Sequence, residues 1–345
     1  MRAEDFEKEL ASRGPGVHLV IEERGGIVEA IHRVHAAVVD PSGRLLYRSG
    51  DPDHFTFTRS CIKPIQAVPV LSMGAAERYG FTDEEIAVIS GSHSGQKEHL
   101  ALVRSILRKA GLKEKMLKCG PHAPFHKPTA KALKGEPLPI HNNCSGKHAS
   151  ILALSKMMGW SLEDYLEVDH PVQREIIGVI SSLTGTEPEA IGVGSDGCGV
   201  PNYAIPLRQM AHLFALLGDP SGTEYESELS RIKDSMLSHP FLVAGTDRFD
   251  TLLMEDLPGK LITKAGAQGI QATAVHTGKR WVGIAIKIED GKYDAIGPIS
   301  YHILEELGIS IEGVGAEKYK APIVKNTLGS KVGNVSALGR FKGKD

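Results

Sequence analysis

Between Gly16 and Arg48 apolar and polar residues alternate with a period near two and Val and Ile are frequent, a pattern that predicts antiparallel strands. Turn-forming residues interrupt it at Gly25-Gly26 and at Asp40-Pro41-Ser42-Gly43, so the segment reads as a meander. From Ser60 to His239 the apolar positions recur at helical spacing, and helices are predicted over residues 97–109, 171–183, 206–217 and 224–237. Strand patterns return at residues 261–264, 270–275 and 281–288, followed by a helical stretch over 294–307. The glycine-rich end, from Lys320, is expected to be irregular chain with an edge strand around 332–338.

Strands at both ends enclosing a helical middle predict an α+β fold. Antiparallel neighbours need adjacency and no crossover helix, so an N-terminal hairpin can pair with C-terminal strands in one discontinuous sheet beside a large helical insert. The expected organisation is a solvated lead-in over 1–15 and a single catalytic domain over 16–345. Within that domain the sheet subdomain takes about 16–59 and 258–345, and the helical subdomain about 60–257. A chain of 345 residues suits one large domain or two joined subdomains.

Composition narrows the function classes. With 24% charged and 41% hydrophobic residues the chain has the balance of an ordinary globular protein. A formal charge of -2, with 40 Lys and Arg spread along the sequence, offers no long-range field for nucleic acid or an anionic membrane. The basic run ending in Lys344 and Asp345 is too short to change that. No 18-residue apolar window is present and the polar N-terminus lacks a secretory pattern, so the expected location is cytoplasmic. In that reducing compartment Cys61, Cys119, Cys144 and Cys198 are expected as thiols or metal ligands, not disulfides.

The candidate chemistry begins at Arg59-Ser60-Cys61-Ile62-Lys63-Pro64, which opens an apolar helical run. Ser and Lys three residues apart on a helix share one face, so the Lys63 amine is expected near the Ser60 hydroxyl, as a nucleophile with a built-in base. Alone, Ser-x-x-Lys is common and Ser60 would serve as a helix cap. It is joined here by Gly91-Ser92-His93-Ser94-Gly95 and by Lys264-Ala265-Gly266 on a late strand, in the order used by penicillin-recognising serine enzymes. Glycines around Ser92 permit close backbone approach, and His93 adds an imidazole for proton relay. Two thiols lie in glycine-rich loops, Asn142-Asn143-Cys144-Ser145-Gly146-Lys147-His148 and Gly194-Ser195-Asp196-Gly197-Cys198-Gly199. Cys usually hides in cores, so these positions suggest a role for sulfur, although the spacing lacks a standard zinc pattern.

Taken together these segments, with Ala244-Gly-Thr-Asp-Arg-Phe-Asp-Thr251, resemble the rhizobial-type L-asparaginases, the class 3 or asparaginase II family, over roughly Gly16 to Arg340. The resemblance implies a fold like serine beta-lactamases and serine-dependent glutaminases, hydrolysis of L-asparagine to aspartate and ammonia, and a homodimer. It implies two serine-lysine tandems, Ser60 with Lys63 and Ser92 with Lys264, and a zinc site at Cys144, Lys147 and Cys198 with Asp196 close by. Arg59 is placed to meet a substrate carboxylate and Asp196 an ammonium, with His93 beside them. Gln96 and Gln268 depart from the family pattern, where Glu is expected, and bear on substrate preference. The alternatives are a glutaminase, a beta-lactam-recognising hydrolase, and a non-catalytic amino-acid- or zinc-binding protein on the same scaffold.

Overall fold

The computed structural model describes residues 1–12 and 14–343; Arg13, Lys344 and Asp345 lie outside the described residues. The chain divides into two compact units, one of residues 1–56, 206–215 and 252–345, the other of residues 57–205 and 216–251. An antiparallel sheet in the first and many helices in the second make the class α+β.

In the first unit the N- and C-terminal segments share one sheet. Its strands run in the order Ile323–Lys325, Lys331–Arg340, Val17–Arg24, Ile27–Val39, Trp281–Ile288, Ile270–His276, Leu261–Gly266, with neighbours antiparallel. Val17–Arg24 and Ile27–Val39 form a hairpin through Gly25-Gly26, and Ala36 pairs with Ile286 in the C-terminal part. Leu45–Ser49 pairs with the end of Ile27–Val39 and with Lys342–Gly343. All six residues of Leu261–Gly266 are buried, including Lys264.

Two segments differ from expectation. The polar N-terminus is helical over Ala3–Ser12 and buries Ala3 and Leu10, an apolar pair seven positions apart on one face. The C-terminal segment holds a ten-residue strand, Lys331–Arg340, which pairs with Val17–Arg24 along one side and is covered over part of the other by Ile323–Lys325. The strand expected around 332–338 is therefore present, but it is flanked on both sides over the stretch that Ile323–Lys325 pairs with, where an edge was expected.

In the second unit the helix Ser145–Met157 is buried from Ser145 through Ser155. Enclosed on every side, the helix is built of Ala, Ser, Ile and Leu, apart from the buried Lys147 and His148 in its first turn. Asp83–Ile89 and Lys97–Lys109 pack against it. The former starts at a capping box, Thr82 with Glu85, which fixes where the chain enters the helix and so where its other end delivers Ser90 to Ser94. A hairpin of Gly192–Ser195 and Pro201–Pro206 presents the Asp196–Gly199 turn.

Candidate active site

Three chain segments of the second unit converge: the 3-10 turn Arg59–Ile62 with Lys63 after it, the loop after Asp83–Ile89, and the start of Ser145–Met157. Lys63 is 1% exposed. Its Nζ lies 2.8 Å from Ser92 Oγ, 2.8 Å from the Gly91 carbonyl oxygen and 3.4 Å from that of Asn143. Two backbone carbonyls thus anchor the amine, and a neutral Lys63 that donates to both turns its lone pair toward the Ser92 hydroxyl. The pairing spans 29 positions of sequence.

Backbone contacts hold the Ser92 loop in place. Ser92 N–H donates to Val243 O at 2.7 Å and Ser94 Oγ–H to Ala244 O at 2.7 Å. The Ser92 N–H is therefore spoken for, and an oxyanion must find its donors elsewhere. Gly91 is required by proximity: a Cβ there would lie 2.5 Å from Val243 O. Gln96 grips the next residues, accepting from Thr246 N–H and donating to Thr246 Oγ1, both at 2.9 Å. Its amide serves both directions at once, which a carboxylate cannot do.

Of the other expected site residues, Ser60 is half-buried and follows Arg59, whose φ of 49° is left-handed in a non-glycine residue. Backbone of that kind persists only where surrounding contacts over-determine it, and it clusters at functional sites. Arg59 N–H donates to Asn202 Oδ1 at 3.0 Å, and Arg59 Nε to Asp196 Oδ1 at 2.9 Å. The two residues expected to meet opposite ends of an amino acid are thus paired with each other. Burial pushes the Asp196 carboxyl up, but the pull of Lys147, Arg59 and Lys63 outweighs it and holds the group below its ordinary range.

His93 is engaged within the protein at both ring nitrogens. Ser145 Oγ–H donates to Ile140 O, so Ser145 Oγ accepts from His93 Nε2–H at 2.8 Å, while His93 Nδ1 accepts from Gly95 N–H at 3.1 Å. Burial, with the cations and imidazoles around it, pushes its pKa well down, so it is a neutral brace for the serine loop. Lys264 belongs to the sheet unit, where its Nζ donates to Ala265 O at 2.6 Å.

The sulfur cluster is compact. One ligand atom each of Cys144, Asp196 and Cys198 lies within 4.8 Å of the others, and Lys147 Nζ is 3.4 Å from Cys198 Sγ. Cys144 and Lys147 face the same way because they sit three positions apart at the start of Ser145–Met157. The hydrogen bond between the thiols pushes Cys198 down to about 5 and Cys144 up to about 12, with Lys147 reinforcing the first shift and burial the second. Burial lowers the Lys147 pKa, but Cys198, Cys144 and Asp196 outweigh it and push it up.

Several contributors carried no sequence signal. Asn143 acts through its carbonyl, Val243 through backbone alone, and Asn202 through an amide 143 positions from Arg59. Ser145, which holds His93, lay inside the Asn142 to His148 segment, where it was given no role of its own.

The comparison that decides the family covers nearly all of this architecture: a family model described as L-asparaginase II matches residues 20–337. The chain belongs to the L-asparaginase II family. As a member it is an amidohydrolase, and an amide is its class of substrate. No curated protein matches the chain. Among solved structures, a Bacillus subtilis glutaminase in covalent complex with 5-oxo-L-norleucine is 14% identical, over 81% of this chain and 88% of that one, at a TM-score of 0.38. A beta-lactamase from Mycobacterium bovis is 13% identical, over 79% and 94%, at 0.39. At such TM-scores the likeness decides nothing about this family member. Among the described residues no helix is long and apolar enough to cross a membrane.

Proposed function

We propose that this L-asparaginase II family member hydrolyses L-asparagine to L-aspartate and ammonia, with Ser92 as nucleophile and Lys63 as its base. The observation that carries the reading is the buried 2.8 Å contact between Lys63 Nζ and Ser92 Oγ. Neutral Lys63 takes the hydroxyl proton as Oγ attacks the side-chain amide carbon. The proton then passes to the departing nitrogen, ammonia leaves, and an aspartyl ester on Ser92 remains. Lys63 next draws a proton from water, whose oxygen attacks the ester, and returns it to Ser92 Oγ as the acyl–oxygen bond breaks and aspartate leaves. The Arg59–Asp196 pair, at 2.9 Å, suits a zwitterion: the α-carboxylate goes to the guanidinium and the α-ammonium to the carboxylate. Ser60 and Lys264, expected from the sequence as partners in the two tandems, are proposed to share in the proton traffic.

The donor set of Cys144 and Cys198, with Lys147 and Asp196 beside them, fits a zinc ion, which favours two thiolates completed by nitrogen or oxygen. Bound there, zinc would supply positive charge and neutralise the thiolates. We propose a homodimer on the same resemblance.

The test is ammonia release by the purified protein from L-asparagine, L-glutamine and a panel of other amides, with a chromogenic cephalosporin as control. A pocket fitted to the shorter side chain should prefer asparagine by about tenfold or more in kcat/KM. Turnover of glutamine above asparagine, or of the cephalosporin alone, would replace this reading. Ligand-induced stabilisation with no ammonia would make the protein a binder.

A further inference from the structure

The imidazole of His122 joins the site through a backbone amide. From Gly120 to His126 the chain is neither helix nor strand, yet it touches the supports of both reacting residues. At its start Asn142 Nδ2–H donates to the carbonyls of Cys119 and Gly120, at 2.7 and 3.0 Å. At its end His126 N–H donates to Ser94 O, in the serine loop, at 3.2 Å. Between these contacts His122 Nε2 accepts from Asn143 N–H at 2.8 Å, and Asn143 is the residue whose carbonyl takes Lys63 Nζ at 3.4 Å. We propose that His122 is a positioning residue for the hydrolysis: it holds Asn143 so that the Asn143 carbonyl keeps the Lys63 amine aimed at Ser92. This rests on Ser92 and Lys63 acting as nucleophile and base.

The hydrogen bonds fix the ring in one form. A nitrogen that accepts from a backbone N–H carries no proton, so Nδ1 bears it and donates to Ala123 O at 2.7 Å. With both nitrogens engaged the ring cannot turn without breaking a bond. Phe125 stacks on it at 4.8 Å between centroids, with the planes 17° apart, and Arg248 covers Phe125 at 5.0 Å from its centroid.

The consequence for Lys63 follows from what its amine requires. A neutral lysine has two N–H groups and one lone pair, so the carbonyls that receive the hydrogens decide where the lone pair points. The Gly91 carbonyl, at 2.8 Å, belongs to the serine loop itself; the Asn143 carbonyl, at 3.4 Å, is the longer and more easily lost contact. Without His122 as acceptor, Asn143 N–H must find another partner or go unsatisfied, which is costly. Its carbonyl moves with it. The Lys63 amine then rotates its lone pair away from Ser92 Oγ, which misaligns proton transfer and leaves substrate binding alone.

The experiment measures kcat and KM for ammonia release, with the amide that the unaltered chain turns over fastest as substrate, and records each variant's thermal unfolding midpoint. His122→Phe keeps a ring stacked on Phe125 and removes the acceptor. His122→Gln removes the ring and brings an amide oxygen to the Nε2 position. His122→Phe should lower kcat by about tenfold or more with KM changed by less than about twofold, and His122→Gln should recover most of that loss. A role in packing alone gives the reverse order, with His122→Gln losing more than His122→Phe. That order would overturn the proposal, as would an unchanged kcat in His122→Phe or a change confined to KM. Should His122→Phe fail to fold, His122→Asn, whose shorter amide stops at the Nδ1 position, is read against His122→Gln: it should show the loss of kcat, and equal kcat in the two would overturn the proposal. Lys63→Ala, measured alongside, separates the two levels. If it abolishes turnover while His122→Phe leaves kcat unchanged, only the role of His122 falls. If it keeps near-normal turnover, or the unaltered chain turns over no amide, the assignment of Lys63 as base falls and the role of His122 with it.

Discussion

At the scale of single residues, the site depends on contacts that tolerate little displacement. Gly91→Ala places a methyl 2.5 Å from the Val243 carbonyl oxygen, and since that neighbour is backbone the serine loop must move. The expected result is a loss of about 1–3 kcal/mol in stability, as for other overpacked positions, with kcat falling further because Ser92 shifts relative to Lys63. A denaturant melt and a kcat measurement on the same preparation check both. Arg59→Ala leaves Asp196 without its guanidinium and removes the proposed carboxylate partner, so KM for asparagine should rise by about tenfold or more with a smaller change in kcat; an unchanged KM would remove Arg59 from recognition. Ser60, Lys63 and Ser92 were legible because each sits in a short motif. The contact between Lys63 and Ser92 was not, because residues 29 apart meet only through the packing of Asp83–Ile89 beside Ser145–Met157. His93 looked like a proton relay for the same reason: its partner Ser145 is 52 positions away, and only the fold reveals that both nitrogens are taken.

At the scale of elements, the helix Lys97–Lys109 carries a pH liability in its first turn. His99 Nδ1 accepts from Gln96 N–H at 3.3 Å and its Nε2–H donates to Phe241 O at 3.1 Å, so the neutral ring satisfies both neighbours and a protonated one cannot. Burial lowers its pKa from 6.5 to about 4, against smaller opposing pulls from the Phe241 carbonyl and Glu98. The unfolded chain therefore binds the proton first as pH falls. Stability from this residue is fully present above pH 6.5 and is lost progressively between 6.5 and about 4, a loss on the order of 3 kcal/mol. Chemical denaturation at pH 7.5 and 4.5 should show a smaller difference for His99→Gln than for the unaltered chain; equal differences would show that His99 is not depressed. Helix limits were readable to within a few residues, since Lys97–Lys109 ends at the glycine the pattern indicates and Pro171–Thr184 begins at its proline. The strand Lys331–Arg340 was legible around 332–338 although Gly333 and Gly339 lower its intrinsic preference, whereas its short neighbour Ile323–Lys325, which makes it more than an edge, was not.

At the scale of the whole molecule, the sheet was legible because its two ends both carry the period-two pattern, whereas the exact strand order depends on which edges meet. The cysteine cluster predicts metal content: the protein should purify with about one tightly held zinc per chain, as expected for a site with two thiolate ligands, and Cys198→Ser should release it. Zinc retained in that variant, measured by elemental analysis, would place the metal elsewhere. The central claim is that Ser92, served by Lys63, hydrolyses the amide of asparagine. The most direct measurement is ammonia release from L-asparagine by the unaltered chain and by Ser92→Ala, Lys63→Ala, Ser60→Ala and Lys264→Ala, each with its thermal unfolding midpoint recorded. The account predicts turnover by the unaltered chain and a fall of about a hundredfold or more in Ser92→Ala and Lys63→Ala at little-changed midpoint, as for residues that act as a unit. The other two variants show whether the expected tandem partners share in the reaction. Near-normal ammonia release by folded Ser92→Ala, or none from asparagine by the unaltered chain, would contradict it.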